Sequence, residues 1–183
     1  MEQSKTYFIA SDVLLAEQES TRPYLSVTMR MCSTRPNRNH EGVTEAFIDE
    51  IVENQEKYLC TPLYADIVEL GRHRYNQLGH RYDPRTRTFQ TTQIGGFISF
   101  EKVVDEFGVS LYGEARIPKR EAEICEAIQE MYALGKLCFS FEISFIPDGC
   151  IYEDGTMFID ANPSNMLTGM AVVSVPAYPE ATA

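Results

Sequence analysis

The run Cys138-Phe139-Ser140-Phe141-Glu142-Ile143-Ser144-Phe145 places a large apolar side chain at every second position without a break. Strand side chains alternate between two faces, so this period commits the segment to a sheet, with Phe139, Phe141, Ile143 and Phe145 against a core. The opposite face then carries Cys138, Ser140, Glu142 and Ser144. For a face that only meets water, Thr, Lys and Glu combine solubility with better strand propensity. Small hydroxyls beside a carboxylate suit a face that another backbone must approach closely. Taken alone, a solvated sheet face is still the simpler account of this strand.

Other runs fill in the fold. Residues 5–16 and 23–32 read as extended, with Tyr7, Ile9, Val13, Leu15, Leu25, Val27 and Met29 roughly alternating with polar neighbours. Arg35 to His40 is a polar break. From Glu41 to Tyr58 the period lengthens: Val43, Phe47 and Ile51 fall one turn apart, which predicts an amphipathic helix with Glu41 and Glu45 near its positive end. Cys60 to Val68 reads as a strand. Residues 71–92 are polar, Arg-rich and interrupted by Pro84, and read as a long loop. Residues 94–104 and 108–117 form a β-hairpin around Asp105-Glu106-Phe107-Gly108. Residues 119–134 return to helical period, and Gly135 stands where a C-cap glycine belongs. The Leu137–Ile146 strand ends at Pro147-Asp148-Gly149, and short strands are predicted at 156–160 and 169–175. The fold class is α+β, an antiparallel sheet or small β-barrel with two main helices, in a single domain over residues 1–183.

Composition narrows the function. The chain has 183 residues, 44% apolar and 23% charged, the ordinary range for a globular domain with one core. No apolar run approaches the ~18 residues of a membrane span, and the N-terminus lacks a secretion-signal layout. The expected setting is cytosolic, away from membranes. A net charge of −11 speaks against nucleic acid as a partner. Arg72, Arg74, Arg81, Arg85 and Arg87 crowd one stretch, which reads as a solvated loop before it reads as a surface for an acidic partner. Cys32, Cys60, Cys125, Cys138 and Cys150 lack metal-ligand spacing, so no metal or other cofactor is expected; the cysteines read as small buried hydrophobes.

A nucleophilic serine needs a base, usually histidine. The chain has three histidines. His80 follows Gly79 at the edge of the long loop and precedes the hairpin leading toward the Ser140 strand. His73 lies between Arg72 and Arg74, whose charge depresses its basicity. His40 lies in the break before the first helix and reads as a surface residue. His80 ranks first, with the other two left open.

Four stretches, taken in order, resemble the phage prohead (capsid maturation) proteases, whose fold is similar to that of herpesvirus assemblin. They are Asn37-Arg38-Asn39 with the helix Glu45 to Asp49; Leu78-Gly79-His80 with Gln93-Ile94-Gly95; Tyr112 to Ile117 followed later by Gly135 to Ser140; and Val172 to Ala181. The resemblance covers residues from about 35 to the end. It implies a serine endopeptidase that cleaves phage major capsid protein and scaffold protein, and itself, inside the assembling prohead in the host cytoplasm. It makes Ser140 the nucleophile and His80 the general base, and it leaves room for homo-oligomers. Many relatives carry an acid in the closing strand, where this chain has Gly169-Met170-Ala171-Val172. The third catalytic member therefore falls to Glu142, with Asp160, Glu114 or a simple dyad as alternatives. Residues two apart on a strand lie about 6–7 Å apart, within reach of a histidine bound to Ser140. Oxyanion donors are expected to be backbone N–H groups after the Ser140 strand, since no Lys or Arg follows Lys136.

Two other readings compete. One is a non-catalytic capsid-assembly module that keeps the fold. The other is a cysteine hydrolase using Cys138 or Cys150, which needs a lowered thiol pKa that nothing nearby supplies. The tail 176–183 follows directly on the closing signature, where relatives continue further. The expectation is that the chain stops short of the encoded product, through self-processing or a designed truncation.

Overall fold

The computed structural model describes residues 22–71, 74–77, 82–83, 85–86, 88–89, 91–105 and 108–173. In chain order the elements are β1 (Tyr24–Ser33), β2 (Glu41–Val43), α1 (Glu45–Glu53), α2 (Gln55–Tyr58), β3 (Pro62–Ala65), β4 (Ile67–Gly71), β5 (Arg74–Gln77), β6 (Tyr82–Asp83) and β7 (Thr88–Phe89). They continue with β8 (Thr92–Asp105), β9 (Gly108–Pro118), α3 (Ala122–Ala133), β10 (Cys138–Ser144), a 3-10 turn at Pro147–Gly149, β11 (Cys150–Glu153), β12 (Thr156–Ile159) and β13 (Met166–Val173). The class is α+β and rich in strands, as the periodicities predict.

The β8–β9 hairpin anchors a six-stranded sheet in the order β1-β9-β8-β3-β13-β10. All neighbours are antiparallel except β3 and β13, which run parallel through Met170↔Leu63 and Ala171↔Tyr64. Within this sheet the antiparallel expectation therefore holds for every pair but one. The sheet curls until its end strands, β1 and β10, touch without pairing. It is a barrel left open along one seam. Inside the curl the alternating apolar side chains of β1, β8, β9, β10 and β13 meet α1 and α3, burying Phe47, Ile51, Phe97, Ile128, Met131 and Phe139 almost completely.

Helix α1 begins where Thr44 caps it: the Thr44 Oγ1 accepts the Phe47 N–H at 3.1 Å. Lys102 on β8 ties α1 to the sheet through Glu45 and Asp49, each at 2.6 Å. Helix α3 ends in a Schellman motif. Gly135, at φ +62, donates to Tyr132 O at 2.8 Å and Lys136 donates to Met131 O at 2.8 Å.

Several expectations need correction. Residues Glu41–Val43 are not helical but form β2, parallel to β12. The turn before them is fixed by Asn37, whose Oδ1 accepts the N–H groups of Asn39 (2.8 Å) and Glu41 (3.0 Å), and the Thr44 cap stops the helix from extending back. The predicted 60–68 strand is two strands, β3 and β4. The loop at 71–92 contains β5, β6 and β7, in the paired ribbons β4–β5 and β6–β7. A two-stranded ribbon satisfies its backbone without burying a face, so the polarity that suggested a loop does not exclude one. Strand β11 was not expected at all. The segment 5–16 and residues 174–183 lie outside the described residues.

Candidate active site

Strand β10 positions Ser140 at the end of the sheet order, with one ladder, to β13; no described strand pairs with its other edge, which faces β1 across the seam. Phe139 is fully buried beneath it, and Phe141 and Ile143 are half-buried against the core. Phe145 is 41% exposed, contrary to the expected burial of all four apolar residues. The reason is local. Ile143 pairs with Leu167 while Glu142 pairs with Gly169, so Thr168 bulges out, and its hydroxyl donates to Glu142 O at 3.0 Å. Past that bulge the edge strand leaves the core.

The Ser140 face is not a plain solvent face. Across the ladder Cys138 meets Val173, Ser140 meets Ala171 and Glu142 meets Gly169. Ala171 and Val173 are buried. The missing side chain at Gly169 makes room for Glu142, because a Cβ there would stand 2.9 Å from both the Glu142 Oε2 and the Tyr64 ring. Glu142 thus lies over β13 toward Tyr64. Toward that edge, Ser140 lines a groove of about 180 Å³ with Asn37, Asn39, Glu41, Phe141 and Phe145. Residues of both parities on β10 line it, so the groove runs along the strand edge rather than over one face. No described side chain hydrogen-bonds the Ser140 hydroxyl.

The structure brings Ser140 and Glu142 onto one face, as expected. His80 and His73 lie outside the described residues. His40 is exposed, at φ +59, in the Asn37–Glu41 turn whose neighbours line the groove. Asp160 accepts a hydrogen bond from the Thr44 hydroxyl at 2.6 Å, which spends it on the helix cap. Glu114 accepts from the Ser26 hydroxyl at 3.1 Å and sits 3.8 Å from Arg116 on β9. The described contacts of these two carboxylates do not include Ser140, so both lose ground as third members.

The cysteines divide. Cys32 and Cys125 are buried, Cys138 and Cys150 are half-buried, and Cys60 is exposed, against the expectation that all five are buried. Burial raises the Cys138 thiol above its ordinary range, and burial followed by the Asp160 charge raises Cys150. Raised thiols are poor nucleophiles at neutral pH, which removes support from the cysteine hydrolase. A larger cleft of about 730 Å³ opens on β3, β8 and the start of α3, but its arginines lie near carboxylates, Arg120 at 3.0 Å from Glu121 and Arg116 at 3.8 Å from Glu114. It does not contain Ser140.

Sequence reasoning missed the groove's far wall. The signal was present in Asn37, an Asx-turn former, and in Gly42, where a Cβ would come within 2.7 Å of the Phe158 ring. A scan against family models, curated proteins and solved structures finds no match to this chain.

Proposed function

We propose that this chain is a serine endopeptidase of the prohead-protease kind, with Ser140 as nucleophile. One observation carries the reading: Ser140 stands on a strand edge that no described strand pairs with, and lines a groove along it. An extended peptide adds to such an edge through main-chain hydrogen bonds, which sets its carbonyls beside the strand.

The chemistry follows from that placement. A histidine, His80 by the sequence reading, takes the Ser140 proton as the oxygen attacks the scissile carbonyl, then returns it to the leaving amine. Glu142 is suited to orient that imidazole and stabilise its charge. Backbone N–H groups stabilise the oxyanion, and water releases the acyl group from Ser140. Phage capsid and scaffold proteins, and the chain itself, are the substrates the family resemblance points to.

A fluorophosphonate probe together with cleavage of co-expressed capsid and scaffold protein tests this. Labelling at Ser140, and cleavage abolished by Ser140→Ala without loss of folding, are the expected results. His80→Ala should cost on the order of 10³-fold or more in rate, and His40→Ala little. Cleavage that survives Ser140→Ala sinks the assignment. Absence of both labelling and cleavage in the intact chain favours a non-catalytic assembly module.

A further inference from the structure

Strand β11 forms one side of a three-stranded sheet ordered β11-β12-β2, and no described strand pairs with its outer edge. It turns into β12 through Asp154-Gly155, both at positive φ (+46 and +79). In a two-residue hairpin the flanking pair Glu153–Thr156 and the pair Ile151–Phe158 exchange hydrogen bonds across the ladder. The N–H and C=O of Tyr152 therefore point outward. Soluble proteins blunt such edges with lysine, proline or a bulge. Cys150-Ile151-Tyr152-Glu153 has none of these, and Ile151 and Tyr152 are 41% and 65% exposed.

One face of the small sheet is also hollowed. Ile151 and its cross-strand partner Phe158 line a recess of about 180 Å³ with Thr34, Val43, Glu45 and Glu153. Its floor is apolar and it holds two carboxylates. Glu45 already pairs with Lys102, which leaves Glu153 to supply charge. The segment that carries the edge has charge of one sign. Between residues 137 and 173 the chain has Glu142, Asp148, Glu153, Asp154 and Asp160, and no Lys, Arg or His.

We infer that the β11 edge docks an extended segment of a partner protein in which apolar and basic residues alternate. The segment adds to β11 as a fourth strand. One Lys or Arg lays its aliphatic stem over Ile151 and Phe158 and brings its charge to Glu153. Charge complementarity selects this occupant: an acidic strand along β11 would run beside Glu153 and Asp154, and a second β11 would set Glu153 beside another acidic edge. The recess shares Val43 with the Ser140 groove but does not include Ser140, and docking there does not depend on catalysis.

The test titrates the intact chain with a fluorescent peptide of alternating lysine and valine, and with its glutamate–valine counterpart. The lysine peptide should bind, more tightly at low salt, and should slow exchange of the Tyr152 amide. Glu153→Lys, a surface change that leaves the thermal melt unaltered, should weaken binding about tenfold or more. The glutamate peptide should not bind. Equal binding of both peptides, indifference to Glu153→Lys, or protection confined to residues 140–144 would overturn the inference. So would dimerisation of the chain through β11 in sedimentation without peptide.

Discussion

Asn165 has no charge and belongs to no periodic pattern, yet it is 98% removed from solvent and uses its whole amide. Its Nδ2 donates to Gly149 O at 2.7 Å and Asp160 O at 2.9 Å, and its Oδ1 accepts the Ile146 N–H at 3.0 Å. Gly149 has no side chain because a Cβ would come within 2.6 Å of that amide. Asn165→Ala should cost roughly 2 kcal/mol or more, since it removes three hydrogen bonds at once and takes this partner from the part-buried Ile146 N–H and Asp160 C=O, while Gly149 O keeps the Asp160 N–H. Asn165→Asp should do no better, having lost both donors. Urea unfolding of the two variants checks this; a loss under 1 kcal/mol, the scale of one ordinary hydrogen bond, would contradict it. Nothing in the sequence marks Asn165, because its partners lie 5 to 19 residues away in a loop. Ser140 and Glu142 were legible for the opposite reason: a period-two strand announces its faces before it is folded.

At the scale of elements, legibility follows how local the determinant is. The β8–β9 hairpin and the Gly135 cap are decided by neighbouring residues, and both stand where the sequence put them. The start of α1 is decided by competition. Helical spacing runs back through Val43, but Gly42 and Val43 gain a strand partner in β12 and Thr44 closes the helix behind them. Thr44 serves two elements, capping Phe47 N–H and donating to Asp160. Thr44→Ala should therefore cost about 1–2 kcal/mol, the upper part of the range for a cap, whereas Thr44→Ser should cost little. Thermal melts of both variants distinguish this from a simple surface position, where the two would behave alike. β11 escaped notice because four residues between a turn and an Asp-Gly hairpin are too short to show a period.

For the whole molecule, sheet order was beyond the sequence, since the β3–β13 pairing joins Leu63 to Met170 across more than half the chain. Burial in the resulting core has a pH signature. Burial alone holds the Cys32 thiol far above its ordinary 9.0, so the unfolded chain releases that proton first. The stability this contributes is whole below pH 9.0 and declines as the pH rises from there toward the folded pKa. Urea midpoints between pH 8 and pH 10 should fall more steeply for the natural chain than for Cys32→Ala; parallel slopes would show that this thiol is not the source. The same topology has a consequence in time. The strand bearing Ser140 has its one ladder with β13, the last described strand, and β13 is held in turn by β3. A growing chain that has emitted Ser140 has not yet made its neighbour, and the long-range parallel pairing that follows is intrinsically slow. Translation then acts as a clock, with a delay on the order of seconds between Ser140 and Val173. Until Val173 has been made, the ladder that positions Ser140 cannot be complete.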